Sequence, residues 1–357
     1  MNRLESKLEK IGRDPQITAK AVGLRYSGDV TEGLYRKRTA KGYFVYVDEN
    51  KKPIRDKNIV ARINGLVIPP AWENVWISPY ENGHLQATGI DTNGRKQYRY
   101  HPQWNKIRNQ SKFHRLSSFA KVLPAIRKQV NIDLNKRGIP CEKVLALVVK
   151  LMELTNIRIG NEAYKKLYGS FGLTTLQDEH VKFQNGKIYF DFVGKKGVKH
   201  KLSLKSKKLA TLVQKCRDIP GQDLFQYYDT LGIAHCIGSS DVNNYLKNIT
   251  NEDFTAKDFR AWAGSVHALN AFLQLELPET QTDCKRKIVR VLDEVASRLG
   301  NTRTVCKKYY VHPTVIAAFE RGSIWNYTST AKSDELNPDE YALVALLENE
   351  KIAEVIC

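Results

Sequence analysis

The chain has 357 residues, long enough for two domains that each bury a core of their own. Lysine and arginine number 57 against 38 acidic residues, and the resulting charge of +19 is spread along the chain, so the expected partner is a polyanion, nucleic acid well ahead of an anionic membrane surface. No apolar run nears the roughly 18 residues that span a bilayer, and the start, Met1-Asn2-Arg3-Leu4-Glu5-Ser6-Lys7, lacks the apolar heart of a signal peptide, so a cytoplasmic, nucleoid-associated protein is expected.

In chain order, residues to about 100 alternate short apolar-aromatic runs with turn signals. Tyr43-Phe44-Val45-Tyr46-Val47 precedes Asp48-Glu49-Asn50, Val75-Trp76-Ile77 precedes Ser78-Pro79, and Asn82-Gly83 is a hairpin signal before His84-Leu85-Gln86-Ala87-Thr88-Gly89. A small β-rich domain over 1–105 follows, broken by a connection at Pro69-Pro70. The run from Asp91 to Trp104 interleaves Arg95, Lys96, Gln97 and Arg99 with Tyr98, Tyr100 and Trp104. That pattern suits a surface lying on a duplex, and equally an ordinary exposed strand with aromatic cross-strand pairs.

From Asn105 to about Arg115 the chain is basic and polar without an apolar period, and a linker is expected there. A mainly helical region fills 106–357. Phe119, Val122, Leu123, Ile126 and Val130 mark one helix, stopped near Gly138-Ile139-Pro140, and Val144 through Ile157 mark the next, with Arg158-Ile159-Gly160-Asn161-Glu162 on its far portion. An arginine so near a long apolar face is either a snorkelling surface residue or one aimed into a cleft. Lys187–Val193 and Val198–Leu204 then read as a β-hairpin whose tip, Gly194-Lys195-Lys196-Gly197, could carry an ammonium group to a phosphate.

Ser240-Asp241 caps a helix through Tyr245 and Leu246. The Thr255/Asp258 capping box opens another, with Arg260 in its early turns. Thr280 and Asp283 open a third, whose face is Ile288, Val291, Val295 and Leu299, and Gly300 supplies the stop. The stretch from Asn301 to Pro313 that follows presents Asn301, Arg303, Lys307, Lys308, Tyr309 and Tyr310, a set able to hold a phosphate. Taken singly, any of the 17 tyrosines is far more often a packing residue than a nucleophile. An amphipathic helix from Asp339 to about Val355 closes the chain and should pack back on the domain.

Six scattered cysteines (141, 216, 236, 284, 306 and 357) without a Cys-x-x-Cys pair read as reduced thiols, not as a zinc site or a disulfide framework. There is no Gly-rich nucleotide loop, which disfavours an ATP-driven machine.

With these motifs in this order, the chain from about residue 20 to 330 resembles the type IB DNA topoisomerases of the compact bacterial and poxvirus-like branch. The resemblance implies an α+β architecture: a small N-terminal β-rich domain, then a mainly helical catalytic domain with a β-hairpin, of the tyrosine recombinase and type IB topoisomerase kind. It carries the family's catalytic positions onto Arg158, Lys195, Arg260, Asn301 and the nucleophile Tyr310, with Lys257 in support. It further implies DNA contacts from Arg95, Gln97, Tyr98, Tyr100 and Tyr164. No metal or other cofactor is implied. The expected partner is double-stranded DNA, clamped by a monomer and relaxed through a 3′-phosphotyrosyl intermediate without ATP.

Two positions depart from the pattern. Asn301 stands where poxvirus and eukaryotic members carry histidine, so it can donate a hydrogen bond but adds no titratable charge. Asn161 replaces a lysine of the poxvirus enzymes, whose sequence preference therefore does not carry over. Tyr309 is the rival nucleophile, and the family spacing from Asn301 selects Tyr310. Two other functions compete. A tyrosine recombinase would have His-x-x-Arg where this chain has Lys257-x-x-Arg260. A non-enzymatic basic DNA-binding protein would bind with strong salt dependence and form no covalent adduct.

Overall fold

The computed structural model describes residues 14–328 and 335–349, and of 109–114 the backbone alone. It divides into two compact units, meeting at Arg115/Leu116: a small sheet unit, then a mainly helical one.

In the first unit, Asp14 caps α1 (Pro15–Ala21) by accepting from the amides of Gln16 (2.8 Å) and Ile17 (3.2 Å). Strands β1 (Leu34–Arg38) and β2 (Phe44–Val47) are followed by α2 (Lys57–Gly65), then β3 (Glu73–Ile77), β4 (Leu85–Ile90) and β5 (Lys96–Tyr100). They form one antiparallel sheet in the order β2-β1-β3-β4-β5. Ile63 of α2 packs with Val75, Ile77 and Ala87 to make its core. The Pro69-Pro70 connection is held to the sheet by the Arg36 guanidinium, which donates to the carbonyls of Ile68, Pro69 and Trp72.

Two expectations are corrected here. Asn82-Gly83 is not a two-residue hairpin turn: β3 and β4 are joined through residues 78–84, and the Asn82 carbonyl accepts from the Arg25 amide at 2.8 Å. The expected linker at 105–115 is helical, lying inside α3 (Pro102–Leu134). The His101 ring accepts from the Gln103 amide at 3.2 Å at its start. Trp104 is buried against Ala19 and Leu24, with Ile107 one turn on beside it. Asn105, Lys106 and Arg108 around it face solvent, and the sequence that follows is too polar to leave an apolar period to read.

The second unit continues with α4 (Cys141–Thr155), α5 (Glu162–Tyr168) and the antiparallel strands β6 (Val181–Gln184), β7 (Lys187–Val193) and β8 (Lys199–Lys205). Next come α6 (Lys207–Arg217), the pair β9 (Gln226–Tyr228) and β10 (Ala234–Cys236), α7 (Ser239–Thr250), α8 (Ala256–Leu273) and α9 (Gln281–Leu299). Helices α10 (Arg303–Tyr309), α11 (Pro313–Glu320) and α12 (Pro338–Asn349) follow. The expected extension of the last helix to Val355 lies outside the described residues.

Helix α4 is the centre of this unit, burying Val144 through Val149 with Leu151 and Met152, while α8 and α9 add Leu269, Phe272, Val291 and Val295. Buried polar groups tie the layers. Asp133 on α3 accepts from the Tyr245 phenol of α7 at 2.7 Å. Arg127 of α3 forks onto the buried Glu340 of α12, which also accepts from the Trp262 indole of α8. No helix among the described residues is long and apolar enough to cross a membrane.

Burial pushes the pKa of His84, His180, His200 and His267 below the ordinary 6.5. Below 6.5 the unfolded chain therefore binds more protons than the folded one, so stability is fully present above that pH and is lost as pH falls through it. The melting temperature should be flat from about pH 8 to 7 and fall by about pH 5.5. A melting temperature that rises on acidification would contradict this.

Candidate active site

The site is built at three chain breaks of the helical unit. Helix α4 ends because Asn156 adopts the left-handed conformation (φ 56°), so Arg158 stands in the irregular stretch after the helix and not on the helix's far portion, where the sequence places it. Helix α9 ends at Gly300 (φ 57°), and the Asn301 amide turns back to the Ala296 carbonyl at 2.9 Å. Helix α10 ends at Tyr309. Tyr310 has left the helix, with φ −128° and ψ −26°.

These breaks bring four of the expected residues together. Arg260, 4% exposed, donates from Nη2 to the Leu299 carbonyl at 2.6 Å and from Nη1 to the Asn156 carbonyl. Its guanidinium carbon lies 5.3 Å from the centre of the Tyr310 ring. Arg158 donates from Nη2 to the Gly300 carbonyl at 3.0 Å and to Asn301 Oδ1. Three further donors, Arg158 Nη1, Arg260 Nε and Asn301 Nδ2, are buried without a hydrogen-bond partner among the described residues. An unsatisfied buried donor costs about 1–3 kcal/mol, and two of these three are on cations, so an anionic oxygen is the acceptor that would satisfy them.

The electrostatics agree. Burial, then the neighbouring Arg260 charge, lowers the Arg158 pKa to about 10, and burial lowers that of Arg260, opposed by the Tyr310 phenol. At about 10, the Arg158 guanidinium is still charged at neutral pH. Burial also pushes the Cys306 thiol up to about 11, so it stays protonated beneath the guanidiniums.

A cleft of about 380 Å³ is lined by Arg158, Arg260 and Tyr310 together with Tyr164, Lys195 and Lys257. Lys195 sits at the tip between β7 and β8, exposed, with Nζ 5.8 Å from the centre of the Tyr164 ring. Lys257 lies one turn before Arg260 on α8. Asn161 caps α5, its Oδ1 accepting from the Tyr164 amide at 3.1 Å.

Arg95, Gln97, Tyr98 and Tyr100 belong to the sheet unit. Alternation along β5 puts Tyr98 and Tyr100 on one face, their rings 5.9 Å apart and 9° from parallel, and Gln97 on the other. Gln97 Nε2 donates to Asp91 at 2.8 Å, and Arg95 pairs with the same carboxylate at 3.8 Å.

Two residues that sequence reasoning missed hold Tyr310 in place. Ser265, fully buried in α8, donates to the Tyr310 carbonyl at 3.1 Å and accepts from the His312 amide at 3.0 Å, gripping the backbone on both sides of the buried Val311. Beside it, a Cβ on Gly264 would stand 2.8 Å from the Tyr310 carbonyl oxygen. A glycine inside a long helix was the available signal. Gly264→Ala should destabilise by about 1–3 kcal/mol through overpacking, although alanine is the better helix former by about 1 kcal/mol. Denaturant unfolding reads the sign directly, and a gain in stability would show that the close approach is dispensable.

Against known proteins, residues 101–333 match the family model described as the catalytic core of eukaryotic DNA topoisomerase I. Residues 43–91 match that of the N-terminal domain of bacterial DNA topoisomerase IB. The chain belongs to the type IB DNA topoisomerase family. Among its relatives, a protein of Acanthamoeba polyphaga mimivirus named DNA topoisomerase 1B is 31% identical over 287 residues, covering 78% of this chain and 85% of the relative. The DNA topoisomerase 1B of Vaccinia virus (strain Copenhagen) is 23% identical over 255 residues, 70% of this chain and 77% of the viral protein. The Monkeypox virus DNA topoisomerase I matches to the same extent. The core match of this type IB topoisomerase spans every residue of the cleft.

Proposed function

We propose that the chain relaxes supercoiled double-stranded DNA by cutting and resealing one strand through a 3′-phosphotyrosyl intermediate, with no ATP. The Tyr310 phenol oxygen attacks the phosphorus, the bond to the 5′ oxygen breaks, and the phenolic proton passes to water. The Lys195 ammonium gives a proton to the leaving 5′ oxygen as general acid. Resealing runs the same steps backward, so the bond energy is conserved in the phosphotyrosyl link. Charge that builds on the equatorial phosphoryl oxygens meets the Arg158 and Arg260 guanidiniums and the neutral Asn301 amide.

The observation that carries this reading is the set of three buried donors without a partner among the described residues, one of them on the guanidinium that lies 5.3 Å from the centre of the Tyr310 ring. Lys257 adds charge at the cleft mouth. Tyr164, together with Arg95, Gln97, Tyr98 and Tyr100 of the sheet unit, contacts the duplex. A single chain closing on DNA suffices for this mechanism, and the helical unit is of the tyrosine recombinase and type IB topoisomerase kind.

The test is a negatively supercoiled plasmid without a recombination site, incubated with the protein in EDTA and no ATP. Relaxation, with protein-linked nicks after rapid denaturation, is the expected result. Tight binding that leaves the plasmid supercoiled and free of adduct would leave only a basic DNA-binding module.

A further inference from the structure

The hairpin that carries Lys195 has an exposed tip, where Lys196 and Gly197 both turn through positive φ (63° and 74°). An ammonium on such a tip needs something to fix its distance from the guanidiniums. One side chain stands where that could be done. His200 on β8 pairs across the hairpin with Phe192 of β7, and the two rings stack at 4.9 Å and 13°. Phe192 is buried in the main core, so this stack anchors the His200 ring.

The ring's free edge touches two glycines. A Cβ on Gly194 would lie 2.7 Å from His200 Cδ2, and a Cβ on Gly300 would lie 2.5 Å from His200 Cε1. Gly194 is the residue before Lys195, and Gly300 is the residue before Asn301. The turn at 299–301 also receives both arginines, Arg260 on the Leu299 carbonyl and Arg158 on the Gly300 carbonyl. The imidazole is thus wedged between the base of the Lys195 tip and the turn to which the guanidiniums are fixed. Burial, reinforced by the charges of Arg158 and Arg260, lowers its pKa, so it is a neutral wedge.

We propose that His200 is a positioning residue for the strand-cleavage reaction, setting the distance of Lys195 from the phosphate by spacing Gly194 from Gly300. It touches no reacting atom. This rests on the reading of Lys195 as the general acid, and it follows that losing the wedge harms only a step that needs a proton delivered to the leaving oxygen. A misplacement of about 1 Å at such a group costs on the order of 100-fold.

The experiment is single-turnover cleavage of a duplex carrying a site mapped on the plasmid, made with either oxygen or sulfur at the 5′ bridging position. A thiolate leaves without protonation, so sulfur removes the need for the acid. Lys195→Ala should be slow on the oxygen substrate and recover on sulfur. His200→Ala should lose on the order of 100-fold on oxygen and also recover on sulfur, while His200→Phe, which keeps the stack and the wedge without a titrating ring, should cleave both substrates at close to the parent rate.

If Lys195→Ala fails to recover on sulfur, the general-acid reading is wrong. If Lys195→Ala recovers but His200→Ala does not, or if His200→Ala is as fast as the parent on oxygen, the His200 inference is wrong and the reading of Lys195 survives. Should His200→Ala not fold, His200→Phe decides alone: a slow reaction on both substrates sinks the proposal, and the parent rate on both supports it.

Discussion

Tyr310→Phe should abolish relaxation and the covalent adduct together, a loss on the order of 10⁵-fold or more, as expected when the nucleophile itself is removed. Only the phenolic oxygen is lost. The ring still packs near the Arg260 guanidinium, and the backbone is still gripped by Ser265 through the Tyr310 carbonyl. The variant should therefore fold and bind DNA as the parent does. Tyr309→Phe should leave the reaction within about threefold, because Tyr309 is the last residue of α10 and is not part of the cleft lining. Relaxation time courses and adduct yields on both variants check this, and the opposite pattern would move the nucleophile by one residue.

Arg260→Ala should lower the single-turnover cleavage rate by on the order of 10²–10³-fold. The residue is almost fully buried, and two of its nitrogens are committed to main-chain carbonyls on the chain breaks that present Asn301 and Arg158. Its Nε is buried without a hydrogen-bond partner among the described residues. Arg260→Lys should recover little of the loss, since an ammonium cannot hold two fixed carbonyls and also point a third donor at a phosphoryl oxygen. The loss should appear in the rate at saturating enzyme and not in DNA affinity. A lysine variant within tenfold of the parent would mean that position 260 supplies only charge.

These expectations draw on features that the sequence exposes unevenly. Helix starts were legible because they are local: Thr255 with Asp258 and Thr280 with Asp283 carry their caps within four residues, and both helices begin there. The stop at Gly300 was legible for the same reason. The apolar period runs on to Ile157 and so predicts a helix reaching Arg158, whereas the left-handed Asn156 ends the helix two residues earlier. Tyr309 and Tyr310, adjacent in sequence, are told apart by the helix end that falls between them.

The hairpin signal at Asn82-Gly83 is outweighed by its pairing with Arg25, while the same dipeptide at Asn185-Gly186, with φ of 50° and 70°, does join β6 to β7 as a tight turn. Convergence of Arg158, Arg260, Asn301 and Tyr310 has no local signature at all. Only the order of motifs, matched to a family, proposed it. Contacts that depend on shape, such as Gly264 against Tyr310 or His200 against Gly194 and Gly300, appear only when the backbones are in place.

The central claim is the covalent link at Tyr310, and the most direct measurement is to trap the complex by rapid denaturation, digest it, and sequence the nucleotide-bearing peptide by mass spectrometry. The account predicts a nucleotide joined through its 3′ phosphate to Tyr310, with a free 5′ hydroxyl on the other side of the nick. A nucleotide on Tyr309, or a link through a 5′ phosphate, would contradict it.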